Sequence, residues 1–358
     1  MIDSIQMILS VYDNNYTEGN PTEEEHRLIR LFETIRNGEE FDGSLKNKRG
    51  RRSHPYVFNR YKDKSVQFWT LPSGYIFLKF HPYRLIDPND RVTNYTSKDE
   101  QAFIAGINEI LDEMDAPHID KSYWQVNRID YCVNIPTPYK QLYLDLLNKG
   151  RTKVYQKRAR FDGKSCYFRG KGCTFNIYDK QDQLTKKGIE GQNLALAEDI
   201  LRVELQCRND KTRAIMKSYG WHDRNIMHFL QPSVAIGVLL DTAKHFYTGD
   251  YRTADKSKKG NVYDCINNAT RLQSKTKETM IRIVSELATY PTKNLDDVRE
   301  ELKTDGLKDT EYYPIMSRFN KLNVNPVPIP IRQAKLYNIR HLDSLYALMN
   351  EYLETAEL

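Results

Sequence analysis

Tyr178, Asp130 and Glu204 are the residues of this sequence whose types and settings could do chemistry together. Tyr178 stands in Thr174-Phe175-Asn176-Ile177-Tyr178-Asp179-Lys180. There Phe175 and Ile177 alternate with Thr174, Asn176 and Tyr178, so the two sets point to opposite faces of a strand. Asp130 and Glu204 sit in two further alternating stretches. As hard oxygen ligands they suit Mg²⁺ or Mn²⁺ held together with a substrate phosphate. The chemistry this set allows is metal-assisted phosphoryl transfer. The metal polarises a phosphoryl oxygen, and the phenolic oxygen attacks phosphorus to form a covalent intermediate. Lys180, Lys79 or an arginine could lower the Tyr178 pKa or bind the transferring group.

These groups need strands that hold them on one surface. Residues 4–12 read as a first strand, and 64–71 with 75–81 as a hairpin around Pro72-Ser73-Gly74. Residues 122–135, the Tyr178 stretch and Leu201–Gln206 supply the rest. The apolar faces carry Ile76, Leu78 and Phe80, then Ile129, Tyr131, Val133 and Ile135, then Leu201, Val203 and Leu205. The opposite faces carry Lys79 and His81, then Arg128, Asp130 and Asn134, then Tyr178, then Arg202, Glu204 and Gln206. A register slip of one residue would send any of them into the core. Two plainer readings stay open. Arg128 with Asp130, and Arg202 with Glu204, could be ordinary ion pairs, and Tyr178 could be a half-buried amphipathic side chain.

Helices are expected after the capping boxes at Thr22–Glu25 and Ser97–Glu100, and over 139–148. From residue 211 the strand signal fades and helical patterns dominate over 211–219, 233–247, 262–290, 295–303, 309–322 and 342–356. Asn325-Pro326-Val327-Pro328-Ile329-Pro330 reads as a stiff extended linker. The expected architecture is α+β: a mainly antiparallel sheet with helices on one face, followed by a helical C-terminal region. The divisions fall at 1–210, 211–323 and 324–358.

The chain has 358 residues, 39% apolar and 28% charged, with a net charge of +6, which suits a folded polar protein. The mild total hides a strongly basic stretch. Residues 149–171 hold Lys149, Arg151, Lys153, Lys157, Arg158, Arg160, Lys164, Arg169 and Lys171 against one acid, Asp162. Tyr155, Phe161, Tyr167 and Phe168 are interleaved, and such a mixture suits single-stranded DNA: cations track phosphates and rings stack on bases. The candidate DNA contacts are Lys79, Arg128, Arg151, Lys153, Lys157, Arg158, Arg160, Arg169, Lys171 and Arg202. The five cysteines form no C-x-x-C pair, which argues against zinc, and their odd count argues against a disulfide framework. No apolar run approaches membrane-spanning length, and the first residues lack a basic leader, so a cytoplasmic protein without membrane contact is expected.

In this order, Arg128-Ile129-Asp130, Ile177-Tyr178-Asp179-Lys180 and Leu201-Arg202-Val203-Glu204-Leu205 resemble rolling-circle replication initiators. The similarity is to the trans-acting Rep proteins of plasmids and the initiators of filamentous phages. Met1-Ile2-Asp3 and Phe80-His81-Pro82 are also similar, and the likeness covers roughly residues 1–210. It implies that residues 1–210 are a nicking and closing domain. Tyr178 would be the nucleophile that becomes joined to a 5′ phosphate, and Asp130 and Glu204 metal-binding carboxylates. Asn134 and Gln206 stand where the family often has further acids, so they offer neutral oxygens and a lower site charge. His81 would be a third ligand or a phosphate contact. Implied partners are single-stranded and origin DNA and a host helicase, and a homodimer is one state the likeness allows. Other functions left open are a conjugative relaxase, a DNA-binding module without catalysis, and a metal nuclease that uses water as nucleophile.

Overall fold

The computed structural model describes residues 1–11, 22–37, 45–46, 52–53, 56–57, 66–71, 73–87, 89–150, 157–246 and 248–355. Nine strands form its main sheet: β1 (Ile2–Ser10), β2 (Tyr56–Val57), β3 (Val66–Leu71), β4 (Tyr75–Phe80), β5 (Gln125–Pro136), β6 (Lys157–Phe161), β7 (Ser165–Gly170), β8 (Cys173–Asp179) and β9 (Ile200–Cys207). Their spatial order is β2-β3-β4-β1-β5-β9-β8-β7-β6. Every pairing within the sheet is antiparallel.

The period-2 pattern places the sheet in its setting. Ile5, Met7, Leu78, Phe80, Ile129, Tyr131, Leu205 and Phe175 are all buried on one face. Each such side chain stabilises the fold by about 1.5–3 kcal/mol relative to exposure. Helices cover this face. Phe103 of the helix Glu100–Glu113 stacks on Phe80, with ring centroids 5.2 Å apart. The Tyr131 hydroxyl donates to the Phe229 carbonyl oxygen at 3.0 Å, and Phe246 packs against both Phe168 and Phe175. The helices Pro232–Ala243 and Leu345–Thr355 pack on each other and on β5. The expected α+β architecture is therefore the one observed.

Three local readings change. The second capping box forms one residue earlier than expected, between Thr96 and Asp99. The basic stretch after residue 156 contains a β-hairpin, β6–β7, which puts it in the sheet. The proline-rich segment is no solvated linker: Val324, Asn325, Val327 and Ile329 are buried. Ile329 donates its N–H to Arg252 O at 2.9 Å, and Asn325 donates to Asp250 O at 2.8 Å. Proline favours extended chain, and here the Val and Ile between the prolines insert into the core. One continuous apolar core includes residues from both sides of position 210. Among the described residues, no helix is long and apolar enough to cross a membrane.

Candidate active site

The strand register decides which side chains can meet. Arg202 of β9 pairs with Asn134 of β5 and with Tyr178 of β8. Two residues along, Glu204 pairs with Cys132 and Asn176, and two further, Gln206 pairs with Asp130 and Thr174. On the other flank, Gln6 of β1 pairs with both Lys79 and Arg128. Lys79, Arg128, Asp130, Asn134, Tyr178, Arg202, Glu204 and Gln206 thus lie on the face opposite the helix-covered core. The alternation read from the sequence placed each of them on that face.

The face is polar but mostly sequestered. Arg202 is 1% exposed, Asp130 2%, Glu204 5% and Tyr178 6%. A buried charge must be paired or bonded, and this layer is. The Tyr178 hydroxyl donates to Glu204 Oε2 at 2.9 Å and accepts from Gln183 Nε2 at 3.4 Å. The other Glu204 oxygen accepts from Gln206 Nε2 at 2.8 Å and from Asn176 Nδ2 at 3.4 Å. Asp130 takes a forked guanidinium from Arg128, at 2.9 and 2.7 Å, and the Ser4 hydroxyl at 2.6 Å. Arg202 donates through Nη2 to Asp3, to Asn94 Oδ1 at 2.8 Å and to Cys132 Sγ at 3.1 Å.

The electrostatics follow from this packing. Burial, then the charges of Asp3 and Asp130, push the Glu204 carboxyl above its ordinary pKa. Burial and the adjoining Glu204 carboxylate hold the Tyr178 phenol well above 10, and the opposing pull of Arg202 does not reverse this. The expectation that nearby cations would lower the Tyr178 pKa is therefore overturned: desolvation and a neighbouring anion win. Burial and the Arg202 charge bring Lys180 down to about 7. Burial takes His81 down to about 4, against the pull of Asp3. Burial pushes Asp3 up, but Arg202, His81 and Lys180 together outweigh it and hold this carboxyl well below the usual range.

The proposed metal ligands share the face without forming one ligand set. Both Asp130 oxygens are taken by Arg128, one of them also by Ser4. Asn134 turns its Nδ2 to Val92 O at 2.8 Å, leaving Oδ1 without a partner. His81 is 2.8 Å from the Asp3 carbonyl oxygen through Nδ1. Among the described residues, no three His, Cys, Asp or Glu gather as candidate metal ligands.

The residues expected to contact DNA divide. Arg202 is caged within the polar layer and does not reach the surface. Lys79 and Arg128 are partly open at one rim of the face, and Arg169 and Lys171 are exposed. Lys157, Arg158 and Arg160 lie on β6, whose backbone pairs with β7. Arg151 and Lys153 fall outside the described residues. Lys180 caps nothing and is buried, with Nζ 3.1 Å from Gln183 Oε1. Its position follows from Asp179, which caps the helix Lys180–Lys186 by accepting from the N–H groups of Gln181 and Asp182.

Asp3, Asn94 and Asn176 belong to the network but were not assigned to it from the sequence. Asn176 was readable, since it shares the Tyr178 face by simple alternation. Asp3 was hidden by a register irregularity between Ile2 and Ser4, which breaks the alternation at that point. Asn94 sits in a loop, where periodicity gives no signal.

No protein-family model matches the chain, and no curated protein does. Among solved structures the chain is similar to a rolling-circle replication initiator protein from Geobacillus stearothermophilus, at 11% identity and a TM-score of 0.39, over 73% of this chain and 89% of that one. A superposition that loose carries no functional argument, and the functional reading rests on the geometry of the polar face.

Proposed function

We propose that this chain nicks and rejoins one DNA strand through a covalent 5′-phosphotyrosine at Tyr178, and so initiates rolling-circle replication. The observation that carries the reading is the 2.9 Å bond from the Tyr178 hydroxyl to Glu204, whose burial favours taking up a proton. Glu204 removes the phenolic proton as Oη attacks phosphorus. The bond from phosphorus to the 3′ oxygen breaks, and that oxygen takes a proton from Lys180. A lysine with a pKa of about 7 is suited to giving up a proton near neutrality. The reverse sequence rejoins the strand, with Lys180 as base and Glu204 returning its proton to the tyrosine. Lys79, Arg128, Arg169 and Lys171 bind the flanking backbone phosphates.

The burial of Tyr178 makes one demand on this mechanism: the phosphate reaches Oη only if the covered face opens when DNA binds. The same burial favours a second reading, in which Tyr178 is structural and the basic rim binds DNA without cutting it. Incubation with labelled single strands of candidate origin sequence separates the two. The nicking reading expects a covalent protein–DNA adduct that disappears in Tyr178→Phe. An adduct that persists in that variant refutes it, and salt-sensitive binding with no cleavage supports the second reading.

A further inference from the structure

A second candidate binding site lies far along the chain, in the helical region. A cavity of about 450 Å³ opens between the turn Asn268–Leu272 and the end of the helix Asp309–Lys321. Its lining includes Arg271, Arg318 and Lys321, with Asn268 and Thr270 as neutral polar groups. Leu272 and Leu322, half-buried against the core, form the apolar part of the wall. Among the described residues, no Asp or Glu lines the cavity, and none of its three cations forms an ion pair.

A second cavity of the same volume shows what this means. There the lining basic residues are Arg27, His118 and Lys121. Each sits against a carboxylate: Arg27 with Glu23 at 2.8 Å, His118 with Asp112 at 2.7 Å, Lys121 with Glu100 at 3.3 Å. The basic groups of that cavity have carboxylate partners, whereas among the described residues Arg271, Arg318 and Lys321 have none within ion-pair distance. The neighbouring helix Ser274–Thr289 deepens the imbalance. It begins beside Leu272 with no side-chain cap and no acid in its first turn, where Lys275 and Lys277 stand instead. Positive side chains at the positive end of a helix dipole are unfavourable unless an anion is near. Like charges gathered in one concavity repel each other, and a bound anion converts that repulsion into affinity.

We propose that this cavity is a phosphate-binding site, separate from the Tyr178 face, that takes either a nucleoside polyphosphate or the backbone of duplex DNA. Its volume falls in the range of about 300–1,000 Å³ usual for small-ligand pockets. Arginine supplies the forked geometry that phosphate oxygens accept, and Leu272 with Leu322 offers apolar contact for a base or sugar. The two sources share one chemistry and differ in what occupies the rest of the cavity.

The test is equilibrium binding of ATP and of a short duplex DNA to the full chain. The variants are the triple substitution Arg271→Gln, Arg318→Gln, Lys321→Gln, and Arg332→Gln as a single-charge control outside the cavity. All four side chains are exposed, so folding should survive, and a melting curve checks it. The proposal expects the triple variant to weaken binding of ATP, duplex or both by at least about tenfold, with Arg332→Gln near wild type. Loss confined to ATP identifies a nucleotide site; loss that includes duplex identifies a backbone contact. If the wild-type chain binds neither, or the triple variant binds both as tightly as wild type does, the proposal is wrong. Binding here is read without cleavage, whereas the nicking reading is read as a covalent adduct, so failure here is distinguishable from failure of that reading.

Discussion

Replacing Glu204 with Gln should separate catalysis from stability in opposite directions. The amide keeps the volume and can still bond Tyr178, Gln206 and Asn176, but it cannot take a proton. Removing a positioned general base costs about 10²–10⁴-fold in rate, so nicking by Glu204→Gln should fall by that factor. Stability should move the other way. Glu204 has two short bonds, at 2.9 and 2.8 Å, and each loses about 1 kcal/mol when its acceptor becomes neutral. Against that, the variant removes a buried charge, whose effective penalty is several kcal/mol. The second effect is larger, so Glu204→Gln should melt at or above the wild-type temperature at pH 7.

The sign with pH is fixed by the raised carboxyl. A group held above its ordinary pKa contributes its full stability below the ordinary value and loses it as pH climbs through the folded value. Wild type therefore loses ground as pH rises above the ordinary carboxyl value of 4.5 and the variant does not, so the gap opens in that direction. Single-turnover nicking of a labelled strand and thermal melting at several pH values measure both effects. Two results refute the reasoning: nicking within threefold of wild type, or a melting temperature that drops by more than about 5 °C at pH 7, which for a chain of this size means a loss of several kcal/mol.

Other outcomes follow from the same layer and from the core. Arg202→Met breaks the pair with Asp3 inside a buried network and should cost about 3–5 kcal/mol in chemical denaturation. Lys180→Met should stabilise the fold most near and below pH 7. Lys180 has its pKa brought down to about 7, so its own contribution is full only above its ordinary value of 10.5 and is lost as pH falls to 7. The gain should fade toward pH 10, and a pH-independent gain would count against the buried ammonium. Ile329→Ala should cost about 2–4 kcal/mol because Ile329 is a core residue, where a solvated linker position would cost almost nothing.

The polar face was legible because strand alternation is strict: one apolar residue in two fixes where its neighbours point. Asp130, Tyr178 and Glu204 could be placed on one surface from Ile129, Ile177 and Val203 alone. What lay over that surface was not legible. Burial of a polar face is decided by loops such as Val92–Asn94, which reach it from distant sequence and carry no period. The pairing of Asp130 was hidden for a related reason. A carboxylate two residues from an arginine on the same strand face looks identical whether it awaits a cation or already holds one, and Asp130 holds Arg128. The proline-rich segment misled in another way, since proline marks extended chain without saying whether water or core lies beside it.

The central claim is that Tyr178, among 24 tyrosines, is the nucleophile. The most direct measurement is to trap the covalent complex with a labelled strand, digest protein and DNA, and locate the residual nucleotide by mass spectrometry. The predicted result is a 5′-linked nucleotide on the peptide containing Ile177-Tyr178-Asp179. A nucleotide on any other tyrosine, or cleavage with no linked peptide, contradicts the claim.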